Sequence, residues 1–296
     1  MLLRALDDVA RLVLPVACPG CARPDVRWCA DCLAPLGAPL RRREEGAPRL
    51  DRLDGVAPLP VWAPARYEGP VRGVVVAWKD RGRADLDRPL AAVARRAGTA
   101  LPVLLGAGAR PVARPSTRAV PGRPARAVLV VPAPTSAAAR RARGRDPVVV
   151  LARGVAAGLR ASGTPARVAP LLVQRGRARD QVGLGSRARG ARLGAVGAAT
   201  GPVTRRRVRE AERDRLPCLL VDDVLTTGAT LAASETALAR AGLPVLGAFV
   251  LAATPAPSRR REAAPEGAVT RLSTTGRRSS GSPPVGAADT PERGLV

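Results

Sequence analysis

Apolar residues fall into two spacings along the chain. Ala127-Val131 (AVLVV), Cys218-Val221 (CLLV) and residues 245 to 254 (VLGAFVLAAT) are short unbroken runs, the first ended by Pro132. Runs of this length fit strands buried on both faces. Elsewhere the spacing is helical. Val71, Val74, Val75 and Trp78 stand at i, i+3, i+4 and i+7 within residues 65 to 82, and Gly69-Pro70 supplies a start. Residues 83 to 96 read as a second short helix through Leu86, Leu90 and Val93. Val148-Arg160 reads as a third through Leu151, Val155 and Leu159. LAASETALARAG, stopped by Gly242, is a fourth. Residues 98 to 126 predict one strand around Leu101-Leu105 and then a long loop.

From 127 to 254 strands alternate with helices, which predicts a parallel sheet covered on both faces. The segment 169 to 196 begins as a strand and turns basic and glycine-punctuated. Residues 39 to 60 read as a linker or irregular extension. Residues 255 to 296 lose all apolar periodicity and predict a disordered tail. The N-terminus reads as a short amphipathic helix ended by Pro15. Its two aspartates and two arginines argue against a signal peptide. The resulting division is 1–60, an N-terminal module with its linker; 61–254, an α/β domain; and 255–296, the tail.

Composition changes the picture in three ways. Aromatic residues are only 2% of the 296, so the core must be aliphatic. The formal net charge is +25, which favours polyanions by counterion release. Single- or double-stranded DNA is therefore a candidate partner, and an arginine bias in composition is the competing explanation. Histidine is absent, which excludes histidine triads and any histidine general base. No apolar stretch approaches the length of a spanning helix, and a reducing cytoplasm is the expected location.

Four of the five cysteines lie in CPGCARPDVRWCADC, residues 18 to 32. Cys18 and Cys21 form one CxxC, Cys29 and Cys32 a second. Two close thiolate pairs suit tetrahedral Zn²⁺, in a closed structural site. The alternatives are two disulfides or four free thiols, and a reducing compartment disfavours the disulfides. Cys218, inside an apolar run, reads as a small buried hydrophobe.

The unit LLVDDVLTTGAT places Asp222 and Asp223 where a strand gives way to a helix. Open α/β sheets bind ligands at such junctions. A carboxylate pair there can accept hydrogen bonds from a vicinal diol. Thr226, Thr227, Gly228, Ala229 and Thr230 supply helix-start N–H groups and hydroxyls suited to a phosphate. A diol beside a 5-phosphate is a ribose 5-phosphate. The competing reading is an ordinary capped turn with solvated acids.

LLVDDVLTTGATL resembles the thirteen-residue phosphoribosyl-diphosphate (PRPP) motif of type I phosphoribosyltransferases. The four-cysteine cluster, RYEGPVRGVVVAWKDRG, VVPAPTSAAARRARGRDP and RDQVGLGSRARGARL, in this order, are similar to the ComF family, named for competence and DNA uptake. The resemblance covers roughly residues 12 to 254. It implies a type I phosphoribosyltransferase-like fold carrying an N-terminal zinc module. It also implies that Asp222 and Asp223, as binding and catalytic residues, hold the ribose hydroxyls directly or through Mg²⁺. Thr226 to Thr230 would cradle the 5-phosphate, and Ala133 to Ser136 would face the diphosphate. Arg140 and Arg143 would neutralise it, although each also fits a solvated helix face. Lys79 would reach the site, and residues 175 to 192 would close over ligand as a flap. The implied reaction displaces diphosphate at C1 of the ribose, with an acceptor the sequence does not decode. A non-catalytic nucleotide sensor, or a DNA-associated factor working with DNA-uptake proteins, would use the same residues for binding alone.

Overall fold

The structure is a computed structural model. It describes residues 16–51, 55–107, 127–174, 196–199 and 201–256, all within one compact unit. The expected N-terminal helix, the flap and all but the first two residues of the expected tail lie outside the described residues.

The fold is α/β with a mixed sheet. Its strands are β1 (Arg41–Arg42), β2 (Val61–Ala63), β3 (Ala65–Arg66), β4 (Val128–Pro132), β5 (Ala166–Val168), β8 (Cys218–Leu225) and β9 (Val245–Ala253). The order is β1-β2-β9-β8-β4-β5, with β3 also on β9. All pairs are parallel except β1 with β2, where Arg41 faces Ala63 at the edge. The sheet thus reaches N-terminal to the predicted 127–254 span. β6 (Leu172–Gln174) and β7 (Val196–Ala198) form a separate antiparallel pair, so the two ends of the segment 175–195 meet at Gln174 and Val196.

The central strands are apolar throughout because helices cover both faces. One face carries α2 (Gly69–Asp80), α3 (Asp87–Ala107) and α5 (Pro147–Ala161) over Val130, Leu219, Val221 and Phe249. The other carries α7 (Ala229–Arg240) and one buried residue, Ala211, of α6 (Pro202–Arg213), over Leu129, Val131, Leu220 and Val250. α1 (Ala30–Leu33) is one turn within the cysteine segment, and α4 (Ala137–Arg143) follows β4. The stripe Val71, Val74, Val75 and Trp78 is fully buried, as its spacing predicts.

The strand expected around Leu101–Leu105 is instead the last third of α3. Leu90, Val93, Ala94, Ala97 and Leu101 form one continuous buried stripe, and packing against α5 carries the helix on. Pro102 sits inside it, where it removes one i→i−4 bond, to Gly98, without ending the helix.

Residues 39 to 60 are irregular but docked. Ala47, Leu50 and Leu59 are buried in the same cluster as α7. Glu44 fastens the segment, its Oε2 accepting from the N–H groups of Arg43 and Val61 at 3.2 Å each.

Candidate functional site

β4 and β8 pair only as far as Pro132 and Val221. Beyond that point β8 runs on to Leu225 against β9 alone. After β4 the chain turns toward β5, and after β8 it turns toward β9. A crevice opens between their C-terminal ends, at the topological switch point of the sheet. Asp222 and Asp223 occupy the first two positions past the last β4 pairing. They lie within the strand and do not end it.

The two carboxylates have different surroundings. Asp223 is buried, and its Oδ1 accepts from the N–H of Val224 at 2.8 Å. Its Oδ2 lies 2.6 Å from Nζ of Lys79, which α2 brings across from the neighbouring layer. Burial works to lower the Lys79 pKa, but the charge of Asp223 outweighs it and the ammonium is held above its ordinary range. Asp222 is half-buried and accepts from the N–H of Asp223 at 2.9 Å. Burial, reinforced by the charge of Asp223, raises its pKa from 3.8 to about 7. Lys79 opposes that shift without cancelling it. Two carboxylates therefore share one cation, and the pair is short by one positive charge. A divalent ion fits that deficit.

Lys79 is the only lysine among the 49 lysines and arginines. Wherever a cation merely needs to be solvated, this chain uses arginine. A compact ammonium suits a buried carboxylate in a tight corner where a planar guanidinium fork does not. That count was a signal in the sequence independent of any motif.

Gly228 opens the turn with φ +80° and starts α7. The first intrahelical bond runs from Ala232 N–H to Gly228 O at 2.9 Å. The N–H groups of Ala229, Thr230 and Leu231 precede it, at the electropositive end of a 12-residue helix. Thr226, Thr227 and Thr230 are exposed there. The space beside Gly228 is filled from within. A Cβ added there would stand 2.6 Å from Leu50 Cγ and 3.2 Å from Ala47 Cβ. Arg49 N–H also donates to Thr227 O at 2.9 Å. Gly228 thus serves the docking of residues 47–50 and the left-handed turn. Sequence reasoning missed this support, because nothing in an irregular segment marks what it packs against.

The turn after β4 is built as a cap. Ser136 Oγ accepts from Ala139 N–H at 3.1 Å, and Thr135 Oγ1 donates to Asp146 Oδ1 at 3.3 Å. Arg143 is engaged with Asp80 at 3.0 Å, directly after Lys79 on α2. Arg140 is exposed on α4. The structure brings Asp222, Asp223 and Lys79 together, sets Arg143 one residue away through Asp80, and gives Arg140 no printed tie to them. Arg145, unremarked in the sequence, braces the same corner. Its guanidinium pairs with Asp87 at 2.5 Å, lies over the Trp78 ring at 5.7 Å and donates to the Trp78 carbonyl.

At the other end of α2 the four cysteines form a knuckle. CPGC is a turn closed by Ala22 N–H to Cys18 O at 2.8 Å, and CADC places Cys29 at the cap of α1 and Cys32 within it. The four sulfurs lie within 4.8 Å of one another and none is in a disulfide. Cys29 Sγ is 3.7 Å from both Cys18 Sγ and Cys21 Sγ. A tetrahedron with Zn–S of about 2.3 Å has edges of about 3.8 Å. Burial would raise the Cys18 thiol, but N–H groups of Gly20, Cys21 and Cys29 outweigh it and bring it down to about 6. Burial pushes Cys32 well up, and the neighbouring thiols add to that. Four thiolates this close need a cation among them. The cluster is positioned to chelate a metal ion.

Cys218 has its thiol raised to about 12 by burial and is inert in the core. No helix among the described residues is long and apolar enough to cross a membrane. No protein-family model matches the chain, and neither does any curated protein.

Two outcomes follow from this geometry. Gly228→Ala meets both a positive φ and a filled space, so it should cost on the order of 1–3 kcal/mol of stability, read as a lower urea midpoint. An unchanged midpoint would mean that residues 47–50 do not pack on the turn. The second outcome concerns pH. Because the folded pKa of Asp222 is raised, its contribution to stability is fully present below 3.8 and is lost as pH rises through about 7. The ligand-free protein should lose up to about 1.4 kcal/mol per pH unit in that window from this one group. Asp222→Asn should flatten the slope in a series of melts from pH 4 to 8.

Proposed function

We propose that the chain is a phosphoribosyltransferase-like protein that binds PRPP, or a nucleoside 5-monophosphate, at Asp222, Asp223 and the Thr226–Thr230 turn. The observation that carries this reading is the pair of adjacent carboxylates short of one cation, set at the sheet's switch point and followed at once by a helix start. A ribose diol and its 5-phosphate would meet both halves in one molecule. The type I phosphoribosyltransferase fold and the ComF resemblance belong to this proposal. The mixed sheet, with its antiparallel β6–β7 pair at the ends of the segment 175–195, is compatible with both.

In this reading Asp222 and Asp223 would hold Mg²⁺ together with the ribose hydroxyls. The ion's contribution, once bound, is to offset the negative charge of a diphosphate. The chain's own residues do the rest. Asp222 is partly protonated near neutral pH and gives up that proton when a cation or diol takes its oxygens. Lys79 keeps Asp223 charged inside the core. The N–H groups of Ala229 to Leu231 receive the phosphate, and the threonine hydroxyls beside them donate to its oxygens. Four cysteine thiolates would hold Zn²⁺ in a closed structural site. No histidine is needed for displacement at C1 if the acceptor is already nucleophilic. Binding without turnover, as a nucleotide sensor, uses the same contacts.

Calorimetric titration with PRPP and Mg²⁺ tests the reading. The double change Asp222→Asn with Asp223→Asn should weaken binding roughly ten- to hundredfold, at about 1.5–3 kcal/mol for each lost charge-assisted contact. Equal affinity in wild type and variant would remove the acid pair from the site. A wild type that binds neither PRPP nor a nucleoside monophosphate would end the reading.

A second reading is favoured by α6, where Arg205, Arg206, Arg207, Arg209 and Arg213 are all exposed on one 12-residue helix. Such a helix suits a polyanion, and DNA bound through phosphates would be held without sequence preference. Replacing Arg205, Arg207 and Arg209 by Gln should lower DNA affinity and flatten its salt dependence by up to about three units of log–log slope. Unchanged binding by the triple variant would assign the arginines to composition alone.

A further inference from the structure

The knuckle and the acid pair are held by one helix. At its first half, α2 touches the CPGC turn backbone to backbone. A Cβ added to Gly73 would fall 2.3 Å from the carbonyl oxygen of Pro19, so the two segments have no slack between them. Just past its C-terminus, Arg83 reaches back to the knuckle. Its Nη2 donates to Arg27 O at 2.7 Å and its Nη1 to Ala17 O at 3.3 Å. Ala17 immediately precedes Cys18, and Arg27 stands two residues before Cys29. Asp85 fixes the same guanidinium from the other side, through Nε at 2.9 Å and Nη2 at 2.8 Å. Cys18, Cys29 and Cys32 lie in one apolar cluster with Val71, Val74 and Trp78. Between these holds, α2 carries Lys79 to Asp223 at 2.6 Å.

We propose that Arg83 is a positioning residue that docks the knuckle on α2, so that the state of the four cysteines is transmitted to the Lys79–Asp223 pair. Loss of the metal, or its replacement by disulfides, cannot leave the knuckle as it is. Without a cation the thiolates repel, and a disulfide must draw sulfurs from 3.7 Å apart to about 2.05 Å. Packed backbone transmits such a change because it cannot absorb it. The far end of α2 carries a side chain whose partner is buried, so a small tilt of the helix releases the ammonium. The acid pair would then have no cation at all. The proposal goes beyond the phosphoribosyl reading and needs no ligand at the acid pair.

The lone lysine makes the test direct, because an amine reagent has only Lys79 and the N-terminus to modify. The experiment measures acetylation of Lys79 by mass spectrometry, with hydrogen exchange of residues 69–82, on the full chain. Wild type purified without added metal should carry one zinc by elemental analysis and a slowly labelled Lys79. Chelation should raise both the labelling rate and the exchange of α2 by roughly tenfold, with the β8–β9 amides still protected. Arg83→Gln should keep its zinc and its melting transition while labelling Lys79 several-fold faster, and Arg83→Lys should recover part of the difference. If chelation unfolds the whole chain, Arg83→Gln decides alone. A zinc-loaded, folded Arg83→Gln with wild-type labelling would overturn the proposal. So would a folded metal-free protein in which exchange rises at residues 16–36 and stays unchanged at 69–82. A folded wild type without metal would remove the zinc reading itself.

Discussion

β4 stops pairing with β8 at Pro132, and the site depends on that parting. A parallel sheet is otherwise a closed surface in which each strand's polar groups are consumed by its neighbours. Past Val221, β8 has β9 on one side and open space on the other. Two carboxylates can stand there because the crevice admits water or ligand to at least one of them. The same residues two positions earlier, among Leu219 and Leu220, would be uncompensated charges in an aliphatic core. The direction of the chain after each strand makes the crevice, and the acids exploit it.

Once the acids are there, burial must be answered by charge. Asp223 is answered by Lys79, and that demand fixes where α2 lies. The helix must bury Val71, Val74, Val75 and Trp78 on one side and deliver an ammonium at its last turn. Trp78 and Lys79 are adjacent, so the residue that anchors the helix in the core also sets the height of the lysine. Arg143 on Asp80 and Arg145 on Asp87 and Trp78 then tie the end of α2 to the chain after β4. Salt bridges at the surface count for little. These bridge two elements that frame the crevice, and their value is geometric: they hold its two walls at a fixed separation.

The parts of the molecule that could be read in the sequence are those whose periodicity is self-contained. AVLVV, CLLV and VLGAFVLAAT are strands for the reason their composition suggests, and the 71–78 stripe is helical and buried. The cysteine spacing was equally direct, since two CxxC pairs in fifteen residues bring sulfurs together whatever lies around them. What could not be read is what depends on distant packing. LPVLL has the length and composition of a strand, and only the continuing stripe from Leu90, buried against α5, makes it helix. Residues 47–50 carry no periodicity, yet they fill the space beside Gly228. Arg145 departs from the Phe-Asn-Gln of the family it resembles, and the departure has a physical content. Its guanidinium lies over Trp78 while Asp146 caps α5.

Charge separates function from background in this chain. Arginine is so common that no single one carries an argument by its presence, and most lie on solvated helix faces. Lysine is different because there is one. In a composition that supplies a guanidinium almost everywhere a cation is tolerated, an ammonium at a single buried acid reflects a local requirement of size and shape. An arginine at position 79 would carry its charge beyond Asp223 Oδ2, which sits 2.6 Å from the present Nζ, and would have to fold its fork into the space between α2 and β8. The acid pair sets that requirement, α2 meets it, and the cysteine knuckle bears on α2 from the other end. The binding crevice and the metal module are therefore parts of one mechanical unit, joined through twelve residues of helix.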